Sequence, residues 1–219
     1  GEAAGDVIVG FENLTGGSGS DMLTGNSGAN AVAGGDGNDT VEGGAGADTL
    51  DGGNGTDTLS YASSAAAVYV NLATGAVAGG DAALDVISNF ENVTGSTAND
   101  TLFGSSGANV LTGGAGNDWL ISGDGADSLY GDAGNDFLNG GGGADVINGG
   151  TGFDIATYEN SASGVTVDLS GTIANSGGEA TGDVLTGIEG VYGSTNADRL
   201  IGDNLNNELS GDDDNDTLS

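Results

Sequence analysis

Along most of this chain, large apolar residues return every ninth position rather than at helical or simple alternating spacing. Leu102, Leu111, Leu120, Leu129 and Leu138 follow one another at that interval, and Leu23, Val41, Leu50, Leu59, Ile147, Leu200 and Leu218 keep the same phase in their own stretches. Each lies in the middle of a three-residue run such as TLF, VLT, WLI or SLY, and the runs are separated by six residues rich in Gly, Asn and Asp. A run of three suits a minimal strand whose central side chain points inward. The other six residues must turn the chain, and glycine provides the positive φ and close backbone approach that turning needs. The pattern predicts an all-β fold: a parallel β-roll, or β-solenoid, with two nonamers to a coil and nonamer i stacked on nonamer i+2.

The nonamers form three arrays, at 16–60, 95–157 and 193–219. A longer period lies above them, because 61–94 and 158–192 are recognisably the same insert, and 1–15 contains its tail in GDVIVGFENLT. Inside the inserts VYVNLA and VTVDLS alternate apolar and polar residues and predict short strands. The chain starts and stops within repeating patterns, which reads as a piece of something longer.

Composition changes this picture in one respect. There are 47 glycines, 33 acids and a single base, Arg199, for a net charge of −32, with no His, Cys or Pro. Glycine and charge at this level suggest disorder, because little apolar surface is available to offset the ordering entropy. Yet 36% of residues are apolar and recur at fixed spacing, so the chain is expected to fold conditionally, with something supplying positive charge. Nucleic acid and anionic membranes are poor partners for such an acidic surface. No stretch approaches the ~18–20 apolar residues of a membrane-spanning segment. Without His, Cys or Lys the usual nucleophilic triads cannot be built, and no enzymatic activity is expected.

The charge has a periodic location. Position 6 of the nonamer is Asp21, Asp39, Asp48 and Asp57 in the first array, and Asp100, Asp118, Asp127, Asp136, Asp145 and Asp154 in the second. In the third it is Asp198 and Asp216. Stacking by two would place Asp100, Asp118, Asp136 and Asp154 along one edge, with Asp127 and Asp145 along the other. Parallel strands lie ~4.8 Å apart. Unit charges at that distance repel by roughly 1 kcal/mol in water, and by several at a protein-like dielectric. A divalent cation between coils reverses the sign. Oxygen ligands and adaptable carbonyls point to Ca²⁺, since Mg²⁺ wants a smaller, stricter octahedron and zinc wants His or Cys.

Pairing across the arrays allows about nine sites at most. The second nonamer of each array carries Asn30, Asn109 or Asn207 instead, so weaker sites are expected there. Sparse glycine does the same for the third array. Glu12, Glu91, Glu189, Asp6, Asp85 and Asp183 in the inserts are read as polar turns that re-register the chain, with a ligand role as the alternative.

GGAGNDWLI, GGDGNDTVE and GGAGADTLD resemble the G-G-x-G-x-D-x-(large apolar)-x nonapeptide of the RTX (repeats-in-toxin) calcium-binding proteins. The resemblance implies a β-roll with Ca²⁺ held between turns by the Asp and by backbone carbonyls. It also implies export through a type I secretion channel and folding outside the cell. The inserts are similar to segments that punctuate such arrays in large secreted bacterial proteins.

The functional expectation is a calcium-binding structural module of a secreted or cell-surface protein, such as an adhesin stalk, a surface layer (S-layer) or an extracellular filament. The alternatives are a non-catalytic module of a polysaccharide-active enzyme and an ice-binding roll. Position 7 should face outward, where Trp119, Phe137 and Ile155, with Phe103 and Ile121 at position 9, would form an apolar row. That row invites self-association or another partner, although a neighbouring insert folding back over it is the favoured expectation.

Overall fold

The computed structural model describes residues 7–9 and 12–219, with the backbone alone for 7–9. Asp6, read above as part of a polar turn, therefore lies outside the described residues. Almost every strand pairing is parallel, and the register between nonamers is 18 residues throughout. Leu102 pairs with Leu120 and Leu120 with Leu138 on one face. Leu111 pairs with Leu129 and Leu129 with Ile147 on the other. This is the parallel roll of two nonamers per coil, and its core is one stack of position-8 side chains. Leu23, Leu50, Leu59, Leu102, Leu111, Leu120, Leu129, Leu138 and Leu200 are all fully buried. Leu218, in Thr217–Leu218, is 48% exposed.

The turns work only because particular positions lack a side chain. Gly134, at position 4, has φ 143°, and a Cβ there would collide with the carbonyl oxygen of Gly116 in the coil below. Coils stacked at strand spacing leave no room for a Cβ there, so this turn requires glycine.

The inserts do not interrupt the roll; they are spliced into it. In the first, Asn92–Thr94 pairs with Thr58–Ser60 on one side and with Val110–Ala115 on the other, which carries one sheet from the first array into the second. That sheet has nine strands among the described residues, ending at Val184–Thr186. On the opposite face, Val86–Ser88 closes the sheet of the first array by pairing with Thr49–Asn54. Tyr69–Asn71 then opens a new sheet by pairing with Thr101–Phe103. Ala76–Ala78 folds antiparallel onto Tyr69–Asn71 and covers the edge of the new sheet.

The second insert repeats the operation with the faces exchanged. Val184–Thr186 closes the sheet that had run through, while Gly190–Tyr192 continues the other onto Glu208–Ser210. Thr166–Asp168 opens a fresh sheet with Arg199–Ile201, and a single antiparallel bridge from Thr166 to Ser176 shields its edge. Val70 and Val167, from the two alternating stretches read as strands, are fully buried.

Truncating a core position should cost what a sealed cavity costs. Leu120→Ala is expected to lower stability by about 2–5 kcal/mol, measured by urea denaturation in saturating calcium. Leu218→Ala should stay within about 0.5 kcal/mol of the parent, as surface changes do. Equal losses at both positions would contradict the single-stack core.

Candidate metal centre

Each position-6 aspartate precedes a core strand, so its side chain turns inward at the edge of the roll. One oxygen is used within the fold. The backbone N–H of each Asp donates to Oδ1 of the Asp one coil further on. Asp100 donates to Asp118 at 2.7 Å, Asp118 to Asp136 at 2.8 Å and Asp136 to Asp154 at 2.8 Å. The other edge carries Asn109 to Asp127 at 2.8 Å and Asp127 to Asp145 at 2.9 Å. In the first array Asp21 donates to Asp39 and Asp39 to Asp57, while Asn30 donates to Asp48. In the third, Asp198 donates to Asp216.

The second oxygen is what gives the ladder chemistry. Among the described residues, Oδ2 of Asp39, Asp48, Asp57, Asp118, Asp127, Asp136, Asp145 and Asp154 is buried with no hydrogen-bond partner. None of these eight residues is more than 2% exposed. An unpaired buried carboxylate is among the most costly groups a fold can contain, and it must either take up a proton or meet a cation. The site around it is made of oxygen. A Cβ added to Gly34 would strike both Asp39 Oδ2 and the carbonyl oxygen of Gly52, one coil on, and one added to Gly131 would strike Asp136 Oδ2 and Gly149 O. No three carboxylates converge on one point among the described residues. A cation here would be held by one or two carboxylates together with carbonyls, the hard, adaptable donor set that suits Ca²⁺ better than Mg²⁺.

The residues that lead each array are different. Asp21 Oδ2 accepts from Gly17 N at 2.9 Å, Asp100 Oδ2 from Ser96 N, and Asp198 Oδ2 from Ser194 N at 2.6 Å. Asn30 and Asn109 accept from Asn26 N and Ser105 N in the same way. These side chains are satisfied by their own turn. Asp216, in the last coil, is half-buried.

The insert acids prove to be more than turns. Asp85 Oδ1 accepts from Asp48 N at 2.8 Å and Asp183 Oδ1 from Asp145 N at 2.9 Å, so both occupy the next rung. Glu91 and Glu189 do the same for Asp57 and Asp154. Glu12 is exposed and its carbonyl accepts from Ala31 N.

Two functional partners escaped the sequence reading. Tyr61 Oη donates to Asp85 Oδ2 at 3.0 Å, and Tyr158 Oη to Asp183 Oδ2 at 2.9 Å. A neutral hydroxyl thus takes the oxygen that elsewhere has no partner. The signal was present, since each insert opens on Tyr and places Asp 24 or 25 residues later.

The apolar row lies on the eight-stranded sheet, with Thr101, Trp119, Phe137 and Ile155 in one column. The inserts lengthen it rather than cover it. Tyr69 packs on Phe103 with centroids 5.7 Å apart, and Tyr192 meets Phe137 edge-on at 5.8 Å. Trp119 stacks on Phe137 at 5.4 Å and stays 54% exposed. The favoured expectation of an insert folded over the row is therefore not met, because the insert strands join the same sheet side by side. Phe103, Ile121, Phe137 and Ile155 are half-buried.

Burial, opposed by the ladder N–H and reinforced by neighbouring acids, pushes the carboxyls with a bare Oδ2 upward. Asp118 and Asp145 rise from 3.8 to about 7 and Asp136 to about 6. A folded value above the unfolded one means that the protonated form favours folding. The metal-free roll should be most stable below about pH 4 and lose stability as pH rises through 6 to 7. In excess chelator, the β signal in circular dichroism is expected to grow as pH falls over this range. The calcium midpoint should rise over the same interval, because protons compete for the same oxygens. A chelated sample whose signal ignores pH would remove these carboxyls from control of the fold.

No helix among the described residues is long and apolar enough to cross a membrane. A search of curated proteins found no match. The family model of the RTX calcium-binding nonapeptide repeat (4 copies) matches residues 9–41, 24–59, 94–129, 121–156 and 192–219, more than half of the chain. Repeats of this kind bind calcium in their turns, are structural rather than catalytic, and are typical of secreted bacterial proteins. On the repeats, the roll and the coverage together, this chain belongs to the RTX calcium-binding nonapeptide repeat family.

Proposed function

We propose that the chain is a calcium-dependent stiffening module of a large secreted or cell-surface bacterial protein, of the adhesin-stalk, surface-layer or filament type. The observation that carries this reading is the ladder of eight buried carboxylate oxygens without partners. In this reading Asp39, Asp48, Asp57, Asp118, Asp127, Asp136, Asp145 and Asp154 are the principal ligands. Asp21, Asp100 and Asp198, at the starts of arrays, and Asp216 contribute weaker sites.

Calcium is then part of the fold. Extracellular sites of this class have dissociation constants of ~10⁻⁴–10⁻³ M. At tenfold excess, each independent site adds roughly 1.4 kcal/mol to stability. Several such sites move a thin, highly charged roll from unfolded in a low-calcium cytoplasm to rigid outside the cell. The unfolded state is the one suited to passing through a secretion channel. The uncovered aromatic row around Trp119 gives copies of the module a surface by which to associate.

A calcium titration read by circular dichroism and size-exclusion light scattering, with magnesium as control, tests this. The expected result is a steep coil-to-β transition near millimolar calcium that magnesium does not reproduce. Particle mass that rises with protein concentration would support the assembling forms. A compact β fold that persists in excess chelator at neutral pH would overturn the reading.

A further inference from the structure

The last coil of the first array and of the second has no following nonamer to complete it, and the inserts supply the missing atoms. Within the arrays, the recurring seat pairs an aspartate Oδ2 with the position-1 carbonyl of the next coil, as with Asp39 and Gly52, Asp118 and Gly131, or Asp136 and Gly149. At the end of the first array the carbonyl oxygen of Asn89 takes that place beside Asp57 Oδ2. At the end of the second, the carbonyl oxygen of Gly187 takes it beside Asp154 Oδ2.

The rung is rebuilt as well. Glu91 Oε2 accepts from Asp57 N at 2.8 Å and Glu189 Oε2 from Asp154 N at 2.9 Å, the role that Oδ1 of the next Asp plays inside an array. Asp57 and Asp154 are both completely buried, and Oδ2 of each lacks a partner. Two inserts of different sequence reach the same arrangement.

The opposite edge of each junction is finished differently. There the next rung is Asp85 or Asp183, whose second oxygen is occupied by Tyr61 or Tyr158. The point beside Gly43 or Gly140 that corresponds to the seat is surrounded most closely by atoms of Asp48 or Asp145 alone, with no carbonyl among them. Oδ2 of Asp48 and Asp145 stays bare on this edge, but a hydroxyl caps the rung beyond it, while the other edge sets a carbonyl oxygen close to the bare Oδ2 of Asp57 or Asp154.

We infer that each insert completes a calcium site of its own: Asp57, the Asn89 carbonyl and Glu91 at the first junction, and Asp154, the Gly187 carbonyl and Glu189 at the second. This rests on the calcium reading above but extends it to residues outside the nonapeptide pattern, whose matches stop at 59 and 156. The metal fastens the through-running strand of each insert to the array before it. Folding of the inserts thereby depends on the same ion as folding of the repeats.

Crystals of the full chain grown in calcium, with anomalous differences measured at long wavelength, test the assignment. Peaks are expected between Asp57 and Glu91 and between Asp154 and Glu189, as well as beside Asp39, Asp118 and Asp136. Peaks beside the array aspartates with none at the junctions would overturn this inference alone. No peaks anywhere would overturn the calcium reading itself, and this inference with it. In solution, native mass spectrometry at a calcium level just saturating the parent should show about two fewer ions on E91Q/E189Q. The exposed Glu159→Gln should match the parent. Equal counts on all three proteins would again reject the junction sites.

Discussion

The fold depends on a repulsion that it creates for itself. Stacking coils at strand spacing forces one carboxylate above the next along each edge, in a core only one side chain wide. The backbone N–H of each rung satisfies one oxygen of the next, which fixes the geometry and leaves the second oxygen buried and bare. Hydrophobic burial of a single leucine stack must contend with this charge over the full length of the roll. A proton or a calcium ion can resolve the conflict. At neutral pH, calcium is the resolution whose availability differs between the two sides of a cell envelope.

Much of this was legible in the sequence because the repeat is short and strict. A period of nine with one large apolar residue permits few packings, and the 18-residue register follows from it directly. The acid at constant phase gave the ladder, and Asn30 and Asn109 marked where each array begins. What was not legible is the part without repetition. Nothing local to Glu91 says that it will stand one rung above Asp57, because the two lie 34 positions apart with most of an insert between them. Tyr61 and Asp85 are likewise joined only by the way the insert doubles back.

The aromatic row shows the limit of composition-based reasoning from the other side. Its phase places Trp119 and Phe137 on an outer face, and strand-like inserts need somewhere to pack. They pack by pairing instead, adding Tyr69–Asn71 and Gly190–Tyr192 to the same sheet. Backbone hydrogen bonding at a sheet edge satisfied those strands without drawing them across its surface.

The splice pattern has a mechanical corollary. At each insert one face is cut and the other passes through, and the cut face alternates because the array between the two inserts holds seven nonamers, an odd number. The seams are staggered, like joints in brickwork. An array with an even count would place two successive seams on the same side and leave a line of weakness there. Under tension along the roll axis, every cross-section of the staggered arrangement retains an unbroken sheet. Insertion or loss of repeats should therefore be tolerated in whole coils of two nonamers, and penalised singly.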